Sequence, residues 1–146
     1  MMSLRSCFRI PVLLVLLVLG SSCTRQENLR PDCMIDTGPC VRTVEGLTVI
    51  LDITPRPVRA MRDVVFEVRL RRDGEPANGA AREVDLTMPG MKMGENRVLL
   101  RRRGGDLYQG RGVFVRCPSG QTLWRASVLV DLGDHEARAE YLLDVP

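Results

Sequence analysis

Five stretches after residue 45 alternate hydrophobic and polar residues with a period of two: GLTVILDIT, DVVFEVRLRR, REVDLTM, TLWRASVLV and HEARAEYLLDV. Two further stretches, NRVLLRRR and DLYQGRGVFVR, show the pattern more weakly but are rich in β-formers, and Gly, Pro, Asn and Asp cluster in the gaps. Such alternation is typical of antiparallel strands that are buried on one face. The pattern predicts an all-β, immunoglobulin-like antiparallel β-sandwich of about seven strands over residues 46–146. No segment after residue 23 has a helical period.

The hydrophobic positions of five of these stretches define the predicted core. Two sheets packed through those faces would bury them, with Trp124 near the centre. The members are Leu47, Val49, Leu51, Ile53, Val64, Phe66, Val68, Leu70, Val84, Leu86, Met88, Trp124, Ala126, Val128, Val130, Ala137, Ala139, Tyr141 and Leu143.

Residues 1–22 have the composition of a secretory signal peptide. Arg5 and Arg9 precede an apolar run over residues 10–19, and small residues follow it. The run is too short to span a bilayer as a helix, which takes about 20 apolar residues. The sequence GSSC at residues 20–23 resembles the lipobox of bacterial lipoproteins. That resemblance implies a lipidated, palmitate-bearing Cys23 and a membrane-anchored lipoprotein in the cell envelope, facing the periplasm or the exterior. Secretion without lipid and a retained short anchor are the alternatives.

Residues 23–45 are predicted to hold the lipidated cysteine, a polar tether and a possible disulfide loop. Beyond residue 22 the chain has the length of one domain. The chain has 21 Lys and Arg against 18 Asp and Glu, and two of the arginines belong to the signal peptide. This near balance gives no reason to expect a nucleic-acid partner, and the RRR run at residues 101–103 is interpreted as the polar end of a strand.

Three cysteines remain for disulfides once the signal peptide is removed and Cys23 is lipidated. Because cysteines outside the cytoplasm tend to be oxidised, Cys33, Cys40 and Cys117 should supply one pair and one free thiol. A Cys33–Cys40 bond would close the Gly-Pro turn in CMIDTGPC, whereas a bond from either to Cys117 would staple the N-terminal segment to the domain. The sequence does not choose between these pairings. For Cys117 itself, disulfide pairing is expected ahead of a metal-thiolate or redox role.

The stretch MPGMKMGENR, residues 88–97, is the principal candidate for chemistry. Met88-Pro89-Gly90-Met91 fits a type II turn, because proline presets the first central φ and glycine supplies the positive φ of the second. The turn brings Met88 close to Met91, and an extended chain points Met93 the same way as Met91. Three thioethers could therefore converge at one end of the sandwich.

Thioether sulfur is a soft ligand that favours Cu(I). Met88, Met91 and Met93 are therefore a candidate Cu(I) site, with Met61 as a possible fourth ligand, although Met61 is expected first as a core residue. The alternative is that the methionines pack over the sandwich or contact a protein partner, since methionine fills irregular gaps well.

A resemblance supports this interpretation. MPGM, the glycine and tyrosine of GGDLYQGRG, and the tryptophan of GQTLWRASVLVDL together resemble the YtkA-like domain family, to which the FixH proteins are related. The matching residues are Met88, Pro89, Met91, Gly105, Tyr108, Gly120 and Trp124, within residues 46–145. The resemblance implies a small extracytoplasmic sandwich, often a lipoprotein, that takes part in copper handling or oxidase assembly. Members often carry a histidine after the second methionine, where this chain has Met93, so an all-sulfur Cu(I) site is the version it favours.

The sequence gives little support to an enzyme. His135, the one histidine, lies between Asp134 and Glu136 and is expected in an exposed turn. A nucleophile pair of Cys117 and His135 has no support from spacing, and zinc-protease, CxxC and phosphate-loop motifs are absent from the sequence. We therefore expect a binding protein, which captures and hands over copper or, alternatively, is a structural or protein-interaction module without a metal.

Overall fold

The protein, seen in a computed structural model that describes residues 29–146, is built of two antiparallel β-sheets packed face to face. The prediction of an all-β sandwich is confirmed. The predicted signal peptide and Cys23 lie outside the described residues. No helix within residues 29–146 is both long and apolar enough to cross a membrane.

Ten strands make up the described part of the chain, rather than about seven. Their bounds are β1 Cys40–Val44, β2 Leu47–Thr54, β3 Asp63–Arg72, β4 Glu75–Pro76, β5 Ala80–Thr87, β6 Arg97–Leu99, β7 Arg101–Gly104, β8 Leu107–Val113, β9 Leu123–Asp131 and β10 Glu136–Asp144. One sheet has the order β1-β2-β3-β8-β7, with β4 added to β3, and the other has the order β10-β9-β5-β6.

The core lies between the sheets and contains the predicted inward-facing residues. Trp124 is buried, and its ring packs edge-on against Phe114 at a centroid distance of 5.3 Å. Phe114, which directly follows β8, also contacts Phe66 of the neighbouring strand β3, at a ring-centroid distance of 5.6 Å. The buried Tyr141 hydroxyl donates to the carbonyl oxygen of Val49 at 2.8 Å, so its polar end is satisfied across the two sheets.

The stretch NRVLLRRR forms two strands in different sheets. The chain crosses from β6 to β7 at Leu100, whose backbone N–H donates to the carbonyl of Arg82 at 2.9 Å. β8 makes this possible because its inward positions include Gly110 and Gly112. A Cβ at Gly110 would lie 2.4 Å from the Leu99 carbonyl oxygen, so glycine is what lets β6 close over β8.

The sandwich begins before residue 46, the predicted start of the domain. β1 pairs with β2, and a disulfide joins Cys33 to Cys40 across a Cα separation of 5.6 Å. Ile35, inside the disulfide loop, is buried in the core, and the backbone N–H of Asp32 donates to Leu142. The folded domain therefore includes the disulfide loop and β1, which the prediction placed in the 23–45 segment before the domain.

Candidate functional site

The Met-rich stretch begins with the predicted type II turn. The backbone N–H of Met91 donates to the Met88 carbonyl at 3.2 Å, and Gly90 has a φ of 77°. That positive φ is the conformation that glycine supplies at the third position of such a turn. Met91 and Met93 are both partly buried against the core, with the exposed Lys92 between them, as an extended chain requires.

A second turn lies next to the first and contains Cys117. It runs from Cys117 to Gly120, and the backbone N–H of Gly120 donates to the Cys117 carbonyl at 3.0 Å. Within residues 29–146 Cys117 takes part in no disulfide, and it is only 5% exposed. The pairings of Cys117 with Cys33 or Cys40 are thus not the ones that form, because the two N-terminal cysteines are bonded to each other.

Strand pairing explains why these two turns meet. β5 and β9 are antiparallel neighbours, with Thr87 opposite Arg125, so the end of β5 lies beside the beginning of β9. The Met turn follows β5 and the Cys turn precedes β9. The side-chain amide of Gln121 then joins them by donating to the Pro89 carbonyl at 3.0 Å.

The two turns bring together one thiol and one thioether. The Cys117 thiol donates towards the Met91 sulfur, with an Sγ–Sδ distance of 3.7 Å. Two sulfurs on a tetrahedral metal ion, each about 2.3 Å from it, are about 3.8 Å apart. The observed separation therefore fits two sulfur ligands of one metal ion without a change of backbone.

The surroundings of Cys117 favour its ionised form. The Ser119 hydroxyl, 2.9 Å from Sγ, lowers the pKa of the Cys117 thiol below its ordinary value, and burial opposes this effect. Backbone N–H groups of Ser119, Gly120 and Gln121 also lower that pKa. A thiolate is the form in which cysteine binds metals, so the turn prepares a metal ligand.

Cys117 also lines a shallow depression of about 430 Å³ at this end of the sandwich, together with Ala60, Val115, Thr122 and Val145. The depression gives an approach towards the Cys117 side of the sulfur pair from solvent.

The other candidate ligands have different positions. Met88 continues the inward row of β5 and is only 3% exposed, as the packing alternative expects. Met61 is 63% exposed, so its prediction as a core residue is wrong. It lies in a turn with a φ of 64°, and the preceding Val58 fills the core there instead. The Met61 backbone N–H donates to Phe114, three residues before Cys117, which places it at the same end of the molecule.

His135 lies at the far end of β9 from Cys117, in an exposed turn as expected. Its Nε2 is 2.5 Å from Glu45 and its Nδ1 is 2.7 Å from Asp134, so it links the β1–β2 turn to the β9–β10 turn. The nine residues of β9 span about 27 Å and separate His135 from Cys117, which excludes a nucleophile pair. Across residues 29–146, no group of three or more His, Cys, Asp and Glu side chains is arranged to hold a metal ion.

Sequence reasoning named Met91 and Cys117 separately but did not join them. The signal that could have joined them is the pairing of the strands REVDLTM and TLWRASVLV. This pairing places Met91, which follows the first strand, beside Cys117, which precedes the second. Alternation identifies strands but not their partners, so this signal could not be used from the pattern alone.

Comparisons with known proteins give a similarity in architecture only. No family model matches the chain, and no curated protein matches its sequence. Among solved structures, a DUF4426 family protein from Pseudomonas aeruginosa PAO1 is similar, with 13% identity and a TM-score of 0.49 over 75% of this chain and 95% of that chain. That protein is a small β-fold domain, and at this level of similarity it carries no argument about function.

Proposed function

We propose that this chain is a membrane-anchored envelope lipoprotein, with a YtkA-like sandwich domain, that captures Cu(I) and hands it to an acceptor protein. The observation that carries the proposal is the 3.7 Å contact between Cys117 Sγ and Met91 Sδ. Copper is the cargo here rather than a resident cofactor. The pair replaces the three-methionine site as the centre of the proposal, because it joins a thiolate to a thioether.

The chemistry of the pair suits Cu(I). Thiolate and thioether are soft ligands, which select Cu(I) from the hard cations common outside the cytoplasm. In the free protein the thiol proton is directed from Cys117 towards Met91. Cu(I) would replace that proton between the two sulfurs, so binding to the thiol form would release one proton.

Three other methionines take part in the proposed capture of copper. Met88 and Met93, in the same Met-rich stretch as Met91, are the candidates for a third ligand. Met61 is exposed at the same end and would make the first or last contact with copper as it enters or leaves. A site with few ligands near the surface exchanges copper more readily than a closed four-ligand cage, which is the property that hand-over needs.

The anchor at Cys23 belongs to this proposal. Eight residues separate Cys23 from Asp32, whose backbone N–H is hydrogen-bonded to Leu142 of β10. A chain of that length spans at most about 30 Å, so the domain would stay near the membrane surface. An acceptor would therefore have to present its own site close to the membrane.

A competition titration tests the proposal. Residues 24–146, which lack the Cys23 thiol, would be titrated anaerobically against a colorimetric Cu(I) chelator, with ascorbate to keep copper reduced and with the Cys33–Cys40 disulfide intact. We expect one tight site, lost in Cys117→Ser and weakened at least about tenfold in Met91→Leu. Met34→Leu is the matched control, since Met34 is an exposed methionine on the disulfide loop. Equal binding by wild type and both site variants would contradict the proposal.

A second function is favoured by one observation at the same end of the molecule. Val115 and Met61 are both exposed hydrophobic residues, and Val115 borders the depression that Cys117 lines. Exposed apolar patches of this kind mark protein contacts when they are contiguous. If the titration finds no copper site, the chain would be an interaction module of the envelope, with this end as its contact surface.

A further inference from the structure

A groove on the outer face of the first sheet collects arginines. It lies over β3, β7 and β8, has a volume of about 430 Å³ and is separate from the sulfur pair. Its lining is Thr54, Val65, Glu67, Leu99, Arg101, Arg103, Gln109, Gly110 and Arg111. Three of these nine residues are arginines, which no part of the copper proposal uses.

The strand register places these side chains on one face. Arg101 is opposite Gln109, and Gln109 is opposite Glu67 on the next strand. Arg111 follows Gln109 by two residues and is therefore on the same side of β8. The Gln109 amide donates to Glu67 at 2.6 Å, which fixes the polar floor of the groove.

The groove arginines differ from Arg69 and Arg71 of the same sheet in their charge partners. Arg69 and Arg71 both pair with Asp106, at 3.1 and 2.8 Å. Within the described residues, none of the three groove guanidinium groups has a carboxylate within 4.0 Å. Glu67 is the one carboxylate in the lining, so the groove keeps a surplus of two positive charges.

We propose that this groove binds a phosphate group carrying about two negative charges. The guanidinium group is a rigid fork of donors that matches phosphate oxygens two at a time, and such charge-assisted bonds are about twice as strong as neutral ones. The ligand is either a soluble phosphate monoester or the monoester headgroup of an anionic lipid. The site shares no residue with the copper site, so either proposal can fail alone.

The first arm of the test uses inorganic phosphate. Full chain in a zwitterionic detergent would be melted at increasing phosphate concentration and constant ionic strength. The groove variant carries Arg101→Gln, Arg103→Gln and Arg111→Gln. The control variant carries Arg62→Gln, Arg72→Gln and Arg138→Gln, which removes the same charge from exposed arginines elsewhere. We expect phosphate to raise the Tm of wild type and control but not of the groove variant, since each lost guanidinium weakens binding about tenfold.

The second arm uses lipid. Full chain in nanodiscs of phosphatidylcholine, with or without phosphatidic acid, would be compared by hydrogen exchange of the β7 and β8 amides. Protection by phosphatidic acid in wild type and control, absent from the groove variant, would identify a headgroup site. A response to inorganic phosphate alone would identify a soluble ligand. If neither arm separates the groove variant from wild type, the proposal is wrong.

Discussion

The side-chain amide of Gln121 donates a hydrogen bond to the Pro89 carbonyl oxygen at 3.0 Å, and it thereby joins the turn of Met91 to the turn of Cys117. Both residues lie just outside the strands. The pairing of β5 with β9 brings the two turns side by side, and this hydrogen bond then links them directly.

Gln121→Ala should loosen the sulfur pair. A neutral hydrogen bond of this kind contributes about 1 kcal/mol. We expect a comparable loss in the free energy of unfolding and a fall in Cu(I) affinity of about fivefold. Urea unfolding and the competition titration would measure the two effects, with the exposed amide Asn78→Ala as control. Unchanged copper affinity would mean that the link does not position the ligands.

The Ser119 hydroxyl is the main cause of the lowered pKa of the Cys117 thiol, so Ser119→Ala should raise that pKa. The thiolate absorbs in the ultraviolet, and its absorbance can be followed as pH rises in a chain that begins after Cys23. The expected result is a midpoint at higher pH in the variant than in wild type. Identical midpoints would show that the backbone N–H groups of the turn lower the pKa of Cys117 without help from the Ser119 hydroxyl.

His135 makes stability depend on pH. Contact with Glu45, and then with Asp134, raises the pKa of His135 in the folded protein above its ordinary value of 6.5. The folded state therefore binds the proton more tightly than the unfolded state. The resulting stabilisation is complete below the unfolded pKa and is lost as pH rises through the folded pKa.

We therefore expect His135→Gln to destabilise the protein at about pH 5.5, where His135 is protonated, and to have little effect at about pH 9. Urea unfolding at the two pH values would check this. Since all three groups are exposed, the effect should shrink with added salt. If wild type and variant differ by the same free energy of unfolding at both pH values, titration of His135 is not the cause of the difference.

Gly110 is required for the closure of the sandwich at β6. Gly110→Ala would place a Cβ 2.4 Å from the backbone oxygen of Leu99, which no side-chain rotation relieves. We expect a loss of about 2–3 kcal/mol in the free energy of unfolding. Gly94→Ala is the matched control, because no atom lies within 4 Å of a Cβ built there. A stability for Gly110→Ala equal to that of the control would contradict this account of the β6–β8 contact.

The strands could be predicted from the sequence because a period of two is a local property that burial imposes on each strand. The hydrophobic pattern was weakest where a contact between distant parts of the chain decides which residue a position carries. Two inward positions of β8 are Gly110 and Gly112, so the hydrophobic alternation of this strand is weak. The crossing between sheets at Leu100 depends on its hydrogen bond to Arg82, which is a tertiary contact. β1 was missed because none of its side chains is fully buried, so no hydrophobic alternation marks it.

The site could be predicted only in part for the same reason. The type II turn of Met88 to Met91 follows from proline and glycine, which act locally. The contact of Met91 with Cys117 joins residues 26 positions apart and needs the pairing of β5 with β9. Met61 lies exposed in a turn, with a positive φ of 64°, and the hydrophobic pattern does not report such a turn.

The coordination of Cu(I) bound to the protein tests the central claim most directly. Residues 24–146, with the Cys33–Cys40 disulfide intact, would be loaded with one equivalent of Cu(I), desalted, and studied by X-ray absorption at the copper edge. We predict retained copper with sulfur neighbours only, at about 2.3 Å, and loss of that signal in Cys117→Ser. Copper that washes out, or that is bound by nitrogen and oxygen, would contradict the assignment of Met91 and Cys117 as its ligands.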